Sequence, residues 1–267
     1  MQPPSEPVEP VEQQRVPVDD KPPLLEIRGL SKRFGGVRAN DSISFDVAEG
    51  DLVAVIGPNG SGKTTLLNAI SGQAPPDAGS VRFNGHELAG RTPAAIARLG
   101  LVRTFQQAGV YDALTALENV RASVDRSGER LHHLWRRDEP AILTEAMHCL
   151  DFVGLADRCG QVAGELSYGQ RKLLEFAMAL MSRPKMLLLD EPTAGVSPVM
   201  VPALVATLQR VNAELGITVL FIEHNMSVVA TLARRVHCLT QGRLLSSGSP
   251  DQVRADPRVL EAYLGGA

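Results

Sequence analysis

The stretch "LVAVIGPNGSGKTTLLNAI", residues 52–70, sets the reading of the whole chain. "LVAVI" (52–56) is apolar throughout, with no polar alternation. Such a run predicts a strand buried on both faces, as in a parallel sheet. "GKTTLLNAISG" (62–72) reads as a helix that stops at Gly72. Between them, "GPNGSGKT" matches G-x-x-x-x-G-K-[ST] in full, in its required place between strand and helix. Gly57, Gly60 and Gly62 permit positive φ and close backbone approach, so successive N–H groups point at phosphate oxygens. The helix N-terminus adds about half a positive charge. Lys63 brings a full charge to the β- and γ-phosphates, and Thr64 offers a hydroxyl to Mg²⁺. Pro58, Asn59, Ser61 and Thr65 complete a segment, 57–65, expected to hold the phosphates of a nucleotide and Mg²⁺; by itself it does not choose among kinases, GTPases and motor or transport ATPases. The bland alternative is a glycine-rich turn that binds nothing; Lys63, Thr64 and both flanks speak against it.

Two further apolar runs resemble the first. "KMLLLDEP" (185–192) and "ITVLFIEH" (217–224) predict buried strands. "SPVMVPALVATLQRVNAELG" (197–216) between them predicts a helix capped by Ser197, with Pro198 in its first turn and Gly216 at its close. Strand, helix, strand at this spacing means a parallel α/β sheet. "LLEIRGL" (24–30) and "DSISFDV" (41–47) predict strands joined at Gly35-Gly36, and "GSVRFNG" (79–85) predicts another. "PAAIARLG" (93–100) predicts a short helix, and "HCLTQGRLLSSG" (237–248) a closing hairpin. From about residue 107 to 165 the pattern turns helical and charged, the mark of a helical subdomain. Within it "DEPAILTEAMHCLDFVGL" (138–155) fits one amphipathic helix with Pro140 in its first turn.

Bulk properties narrow the function. The 267 residues are 44% apolar, enough for a sizeable core. The longest apolar runs are far too short to span a bilayer, so any membrane role comes through a partner. The net charge of −3 gives no basic field for nucleic acid. Residues 1–23, rich in Pro and acidic side chains and lacking an apolar core, read as a disordered tail and not a secretory signal. Cys149, Cys159 and Cys238 are scattered and read as reduced thiols of a cytosolic protein.

The ends of the second and third strands carry the chemistry. Asp190 closes an apolar run, where its carboxylate holds Mg²⁺ through water. Glu191 follows at once, placed to orient and deprotonate a water for in-line attack on phosphorus; such assistance is worth roughly 10² to 10⁴ in rate. A water-activating base there favours hydrolysis over phosphate transfer. Ser167 reads as the N-cap of "GQRKLLEFAMAL" (169–180), and with the Gly169 amide it makes a second anion-binding helix end. It has no lysine and no glycine loop. It is therefore either an ordinary capped helix or half of a nucleotide site.

"LSYGQ" (166–170) shortly before "MLLLDEP" resembles the signature motif of ATP-binding cassette (ABC) ATPases, and the resemblance runs from about Leu24 to Leu264. It implies an α/β P-loop fold with a parallel core sheet, an antiparallel N-terminal β-subdomain and a helical subdomain within 24–267. It also implies a head-to-tail pair of cassettes with ATP between the first motif of one and Ser167, Gly169 and Gln170 of the other. By the same resemblance Phe34 in "LSKRFGG" stacks on adenine and Gln106 in "VRTFQQ" ligates Mg²⁺ and senses the γ-phosphate, with Gln107 its neighbouring rival. "AGVSP" (194–198) occupies the dimer-contact loop, and His224 in "FIEHNM" contacts the γ-phosphate. "RFGGVRAND", "RTFQ", "LSYGQRKLLEFAMAL" and "VLEAYLG" (259–265) look closest to the ATPases of branched-chain amino acid importers. Asn225, Val196 and Ser197 depart from that pattern. ATPases of urea or amide import and of lipopolysaccharide export are near relatives, and a non-transport ABC ATPase is the rival from another class. The implied setting is cytoplasmic and peripheral on the inner face of the membrane. The implied partners are a second cassette, of the same or a homologous chain, permease subunits and, indirectly, a solute-binding protein. The segment around Trp135 lies where such cassettes dock a permease; it reads equally as a solvated connecting face.

Overall fold

The computed structural model describes residues 22–104, 109–123 and 140–264. The expected tail therefore lies outside the described residues up to residue 21, as do Gln106, Gln107 and Trp135. In chain order the elements are β1 (Leu25–Phe34), β2 (Val37–Val47), β3 (Leu52–Ile56), α1 (Lys63–Ile70), β4 (Ala78–Phe83), β5 (His86–Glu87), α2 (Pro93–Arg98) and β6 (Leu101–Arg103). There follow α3 (Ala116–Ala122), α4 (Pro140–Phe152), α5 (Tyr168–Leu180), β7 (Met186–Asp190), α6 (Val201–Leu215) and β8 (Thr218–Ile222). The chain closes through α7 (Met226–Leu232), β9 (Arg235–Thr240), β10 (Arg243–Gly248), α8 (Pro250–Ala255) and α9 (Pro257–Leu264).

Two sheets organise these elements. β2-β1-β4-β5 is antiparallel, and β10-β9-β3-β8-β7-β6 is parallel except for the β9–β10 hairpin. β3, β7 and β8 are buried at every position, which explains their unbroken apolar runs. Their alternate side chains enter different cores. Leu52, Ala54, Ile56, Leu187, Leu189, Val219 and Phe221 face a core shared with α3 through α9. Val53, Val55, Met186, Leu188, Leu220 and Ile222 face one shared with α1, α2 and the antiparallel sheet. Each of these side chains larger than alanine contributes roughly 1.5–3 kcal/mol of burial, so one polar substitution in β3 disturbs one of two cores. Helix α1 is thereby clamped between the two sheets.

Besides β5, α8 and α9, which the sequence reading did not include, three local features differ from it for a clear physical reason. Helix α6 starts at Val201, not at Pro198; residues 197–200 form a turn in which Met200 N–H bonds Ser197 O at 2.8 Å. The reason is Pro202, which lacks an N–H. A helix begun at Pro198 would put Pro202 in its interior, against the carbonyl four residues back, whereas a start at Val201 keeps it in the first turn. The short strand β6 was not foreseen, because three residues carry no periodicity of their own and pair only once β7 lies beside them. Helix α7 was also not foreseen. Asn225 caps it, its side chain accepting the N–H groups of Ser227 and Val228, so Asn serves there as an Asp would.

His237 on β9 is 2% exposed and stacks on Phe45 at 4.2 Å between ring centroids. Neither ring nitrogen has a hydrogen-bond partner. Burial, and then the charge of Arg235, push its pKa down to about 3. The unfolded chain takes up this proton near pH 6.5 and the folded chain does not, so stability is complete above pH 6.5 and falls as pH drops toward 3. Between pH 7 and 5 this one group costs about 2 kcal/mol. Chemical denaturation of wild type and His237→Leu at both pH values should show that much less acid loss in the variant. Equal losses would refute the assignment.

Candidate functional site

Parallel pairing puts the C-terminal ends of β3, β8 and β7 on one edge of the sheet, the usual place for a ligand in such folds. Val55 is in register with Ile222, and Ile222 with Asp190. Three stretches far apart in sequence thus deliver loop 57–62, His224 and Asp190-Glu191 to the same place.

The loop after β3 needs its glycines. Gly57 has φ 144°, and a Cβ there would sit 2.1 Å from Leu239 O; Gly62 has φ 98°, and its Cβ would sit 2.2 Å from Ala39 O. Both contacts are with backbone, which cannot yield cheaply. Asn40, fully buried, donates its side-chain N–H to Gly62 O at 3.0 Å and holds the loop from behind. Pro58 is half-buried, Asn59 and Gly60 are exposed, and Ser61 is buried. Lys63 is the first residue of α1 and is buried; its Nζ donates to Gly57 O at 2.8 Å and Pro58 O at 2.9 Å. Burial lowers its pKa, while the nearby charges of Glu191 and Asp190 oppose that shift. Thr64 is exposed and Thr65 half-buried in the first turn of α1.

Asp190 ends β7 at 4% exposure. Its Oδ2 accepts from Arg103 Nη2 at 3.0 Å, and Arg103 Nη1 also reaches Asn68, Ser71 and Gln73, tying β6 to the end of α1. Burial raises the Asp190 pKa, and Arg103 acts against that. Asp190 Oδ1 is buried with no hydrogen-bond partner, as is Ser61 Oγ. A buried carboxylate oxygen left unpaired is costly unless a cation or its water reaches it. One carboxylate plus the Thr64 hydroxyl is a hard-oxygen donor set, and it fits Mg²⁺, which retains water and phosphate oxygens in its shell.

Glu191 has φ 50°, a left-handed conformation that costs a non-glycine residue about 1 kcal/mol or more. Its N–H bonds Ile222 O at 3.0 Å, and the turn aims its side chain back at β8. There Glu191 Oε1 lies 3.0 Å from His224 Nε2.

The remaining predicted residues make no hydrogen bond or ion pair to this cluster among the described residues. Phe34 stands 52% exposed at the tip of the β1–β2 hairpin, with Lys32 Nζ 5.7 Å from its ring centroid. Ser167 is the N-cap of α5: its hydroxyl accepts from Gln170 N–H, and Gln170 Oε1 accepts from Ser167 N–H at 2.9 Å. Gly169 packs against Met200, where a Cβ would meet the methionine Cβ at 3.2 Å. Among the described residues no hydrogen bond or ion pair links Ser167, Gly169 or Gln170 to loop 57–65, Asp190, Glu191 or His224.

Sequence reasoning gave no role to Asn40, Arg103 or Glu223. Arg103 stood inside the quoted phrase "VRTFQQ", and Glu223 inside "FIEHNM". A charge just past the buried run of β8 was the available signal for Glu223; Arg103 had none, because the half-buried β6 is set only by pairing with β7.

Comparison with known proteins agrees with this geometry. The family model "ABC transporter" matches residues 40–194, and "Branched-chain amino acid ATP-binding cassette transporter" matches residues 243–267. The chain is 39% identical over 252 residues, 92% of its length and 99% of the relative's, to the high-affinity branched-chain amino acid transport ATP-binding protein BraF of Pseudomonas aeruginosa. Among solved structures it superposes on the ADP conformation of MJ1267, an ATP-binding cassette of an ABC transporter. There the TM-score is 0.83 at 35% identity, covering 92% of this chain and 100% of the other. The dimeric structure of MJ0796, a bacterial ABC transporter cassette, matches with TM-score 0.71 at 25% identity, covering 85% of this chain and 98% of that one. A parallel α/β sheet, a glycine loop backed by two neighbouring strands and a carboxylate pair at the sheet edge have one common explanation: the chain belongs to the ABC transporter family, as an ATP-hydrolysing cassette.

Proposed function

We propose that the chain powers import of branched-chain amino acids, hydrolysing ATP at sites shared with a second cassette. The contact that carries this reading is Glu191 Oε1 at 3.0 Å from His224 Nε2, beside Lys63 and the unpaired Asp190 oxygen. Phosphoryl transfer to water needs positioning and charge more than covalent chemistry. Lys63 exchanges the carbonyls of Gly57 and Pro58 for β- and γ-phosphate oxygens. The loop N–H groups and the α1 N-terminus take the remaining charge. Glu191 accepts a proton from the attacking water. His224, as the Nε2–H tautomer, donates to Glu191 Oε1 and fixes the carboxylate beside the γ-phosphate. Asp190, Thr64 and Gln106 would hold Mg²⁺, which would supply charge neutralisation to the phosphates when bound. Phe34 stacks on adenine. Ser167, Gly169 and Gln170 close the γ-phosphate side of the opposite cassette's site from the N-terminal end of α5, which follows the helical subdomain of about residues 107–165.

The dimeric MJ0796 cassette supports a paired assembly, and the match of residues 243–267 together with BraF supports the cargo class. Among the described residues no helix is long and apolar enough to cross a membrane. In this reading transport runs through permease subunits, with this chain peripheral on their cytoplasmic side and a solute-binding protein delivering cargo from outside. Closure on ATP and opening after hydrolysis drive the permease. Deleting the gene should abolish high-affinity uptake of radiolabelled leucine, with rescue by wild type and none by Glu191→Gln. Unchanged uptake, or rescue by that variant, contradicts the reading.

A further inference from the structure

Glu223 is 3% exposed, between β8 and His224. It belongs to neither the phosphate loop nor the Asp190-Glu191 pair, yet its two oxygens grip both sides of the catalytic edge. Oε1 accepts the Thr193 N–H at 3.0 Å and the Thr193 hydroxyl at 2.5 Å. Oε2 accepts the His224 N–H at 3.0 Å and the Asn225 N–H at 3.3 Å. Thr193 lies two residues beyond Glu191, in the turn that Ala194 N–H closes on Glu191 O at 3.0 Å. That turn holds Glu191 at its left-handed φ of 50°. We propose that Glu223 is a positioning residue that couples the backbone of His224 to the turn carrying Glu191, and so sets the 3.0 Å contact between them.

The carboxylate is used to capacity, because two oxygens with about four lone-pair sites meet four donors. An amide cannot replace it. Whichever way a glutamine side chain is turned, its NH₂ faces two donors, on the Thr193 side or the His224 side. One clamp is then lost while size and burial stay the same. The anion also sits where the chain leaves two parallel strands, so the loss falls on loop placement and not on either core.

This rests on Glu191 and His224 acting together in hydrolysis, and the experiment separates the two ideas. ATP turnover, ATP affinity and melting temperature are measured on the full chain for Glu223→Gln, His224→Ala, the double variant and Thr193→Val. Glu223→Gln should lower kcat about tenfold or more, with affinity within about twofold of wild type. In the His224→Ala background the same change should cost less than about threefold, because its target is gone. Thr193→Val, which removes one of the four donors and keeps the carboxylate, should show a smaller kcat loss of the same kind, and it keeps the idea testable if Glu223→Gln folds poorly. An inactive His224→Ala with a fully active Glu223→Gln overturns the clamp alone. A fully active His224→Ala overturns the pairing and the clamp with it. Equal losses from Glu223→Gln with and without His224, or a loss confined to ATP affinity, also overturn it.

Discussion

Glu191→Gln should reduce ATP turnover about a thousandfold while leaving nucleotide binding intact. The change is nearly isosteric, and an amide oxygen still accepts from His224 Nε2, now 3.0 Å from the carboxylate. What disappears is the proposed base for the water's proton. Removing chemistry without removing binding means that the ATP-bound assembly accumulates. The predicted signature is a kcat loss of that size, an ATP affinity at least as tight as wild type, and a larger particle by light scattering when ATP is present. Hydrolysis at the wild-type rate would mean that another group activates water.

Lys63→Ala should fail at the earlier step. The Nζ is buried and satisfied by two carbonyls, which the variant leaves without this donor. It also removes the full positive charge nearest the phosphates, in a pocket where burial strengthens charge interactions. Removing one preorganised donor to developing charge costs about 10²–10³ in rate, and a charged donor that also binds the ground state should lose more. Turnover should fall at least that far, with ATP affinity weakened more than tenfold on the scale of charged contacts. Lys63→Arg should not rescue, because a planar guanidinium cannot occupy a slot shaped by Gly57 O and Pro58 O for a compact ammonium. Equilibrium binding of a fluorescent ATP analogue separates the two variants: Glu191→Gln retains it and Lys63→Ala loses it. Wild-type affinity in Lys63→Ala would contradict the placement of the triphosphate.

Much of this was legible in the chain because the decisive signals are local. β3 was read to the residue, since burial on both faces leaves no polar position in "LVAVI". The α5 cap at Ser167 was legible because the hydroxyl and its target lie three residues apart. Asp190 and Glu191 were read at the end of an apolar run and Lys63 inside a glycine-loop motif, whereas His224 was read only through the family resemblance. What was not legible depends on which segments meet. The start of α6 turned on Pro202, whose veto on a longer helix outweighs the capping ability of Ser197. Arg103 gains its role only because β6 pairs with β7 and brings the guanidinium to Asp190. Glu223 gains its role only because β7 and β8 are neighbours, so that one carboxylate spans two loops thirty residues apart.

The proposed sharing of each triphosphate between two cassettes can be tested directly. A structure of the Glu191→Gln chain in its ATP-bound assembly should show Ser167 within hydrogen-bond reach of a γ-phosphate whose β- and γ-oxygens are gripped by the loop lysine of the facing cassette. Lys63 of this chain should hold the other triphosphate in the same way. Finding Ser167 distant from every bound triphosphate would show that α5 closes no nucleotide site, and the paired mechanism would fall.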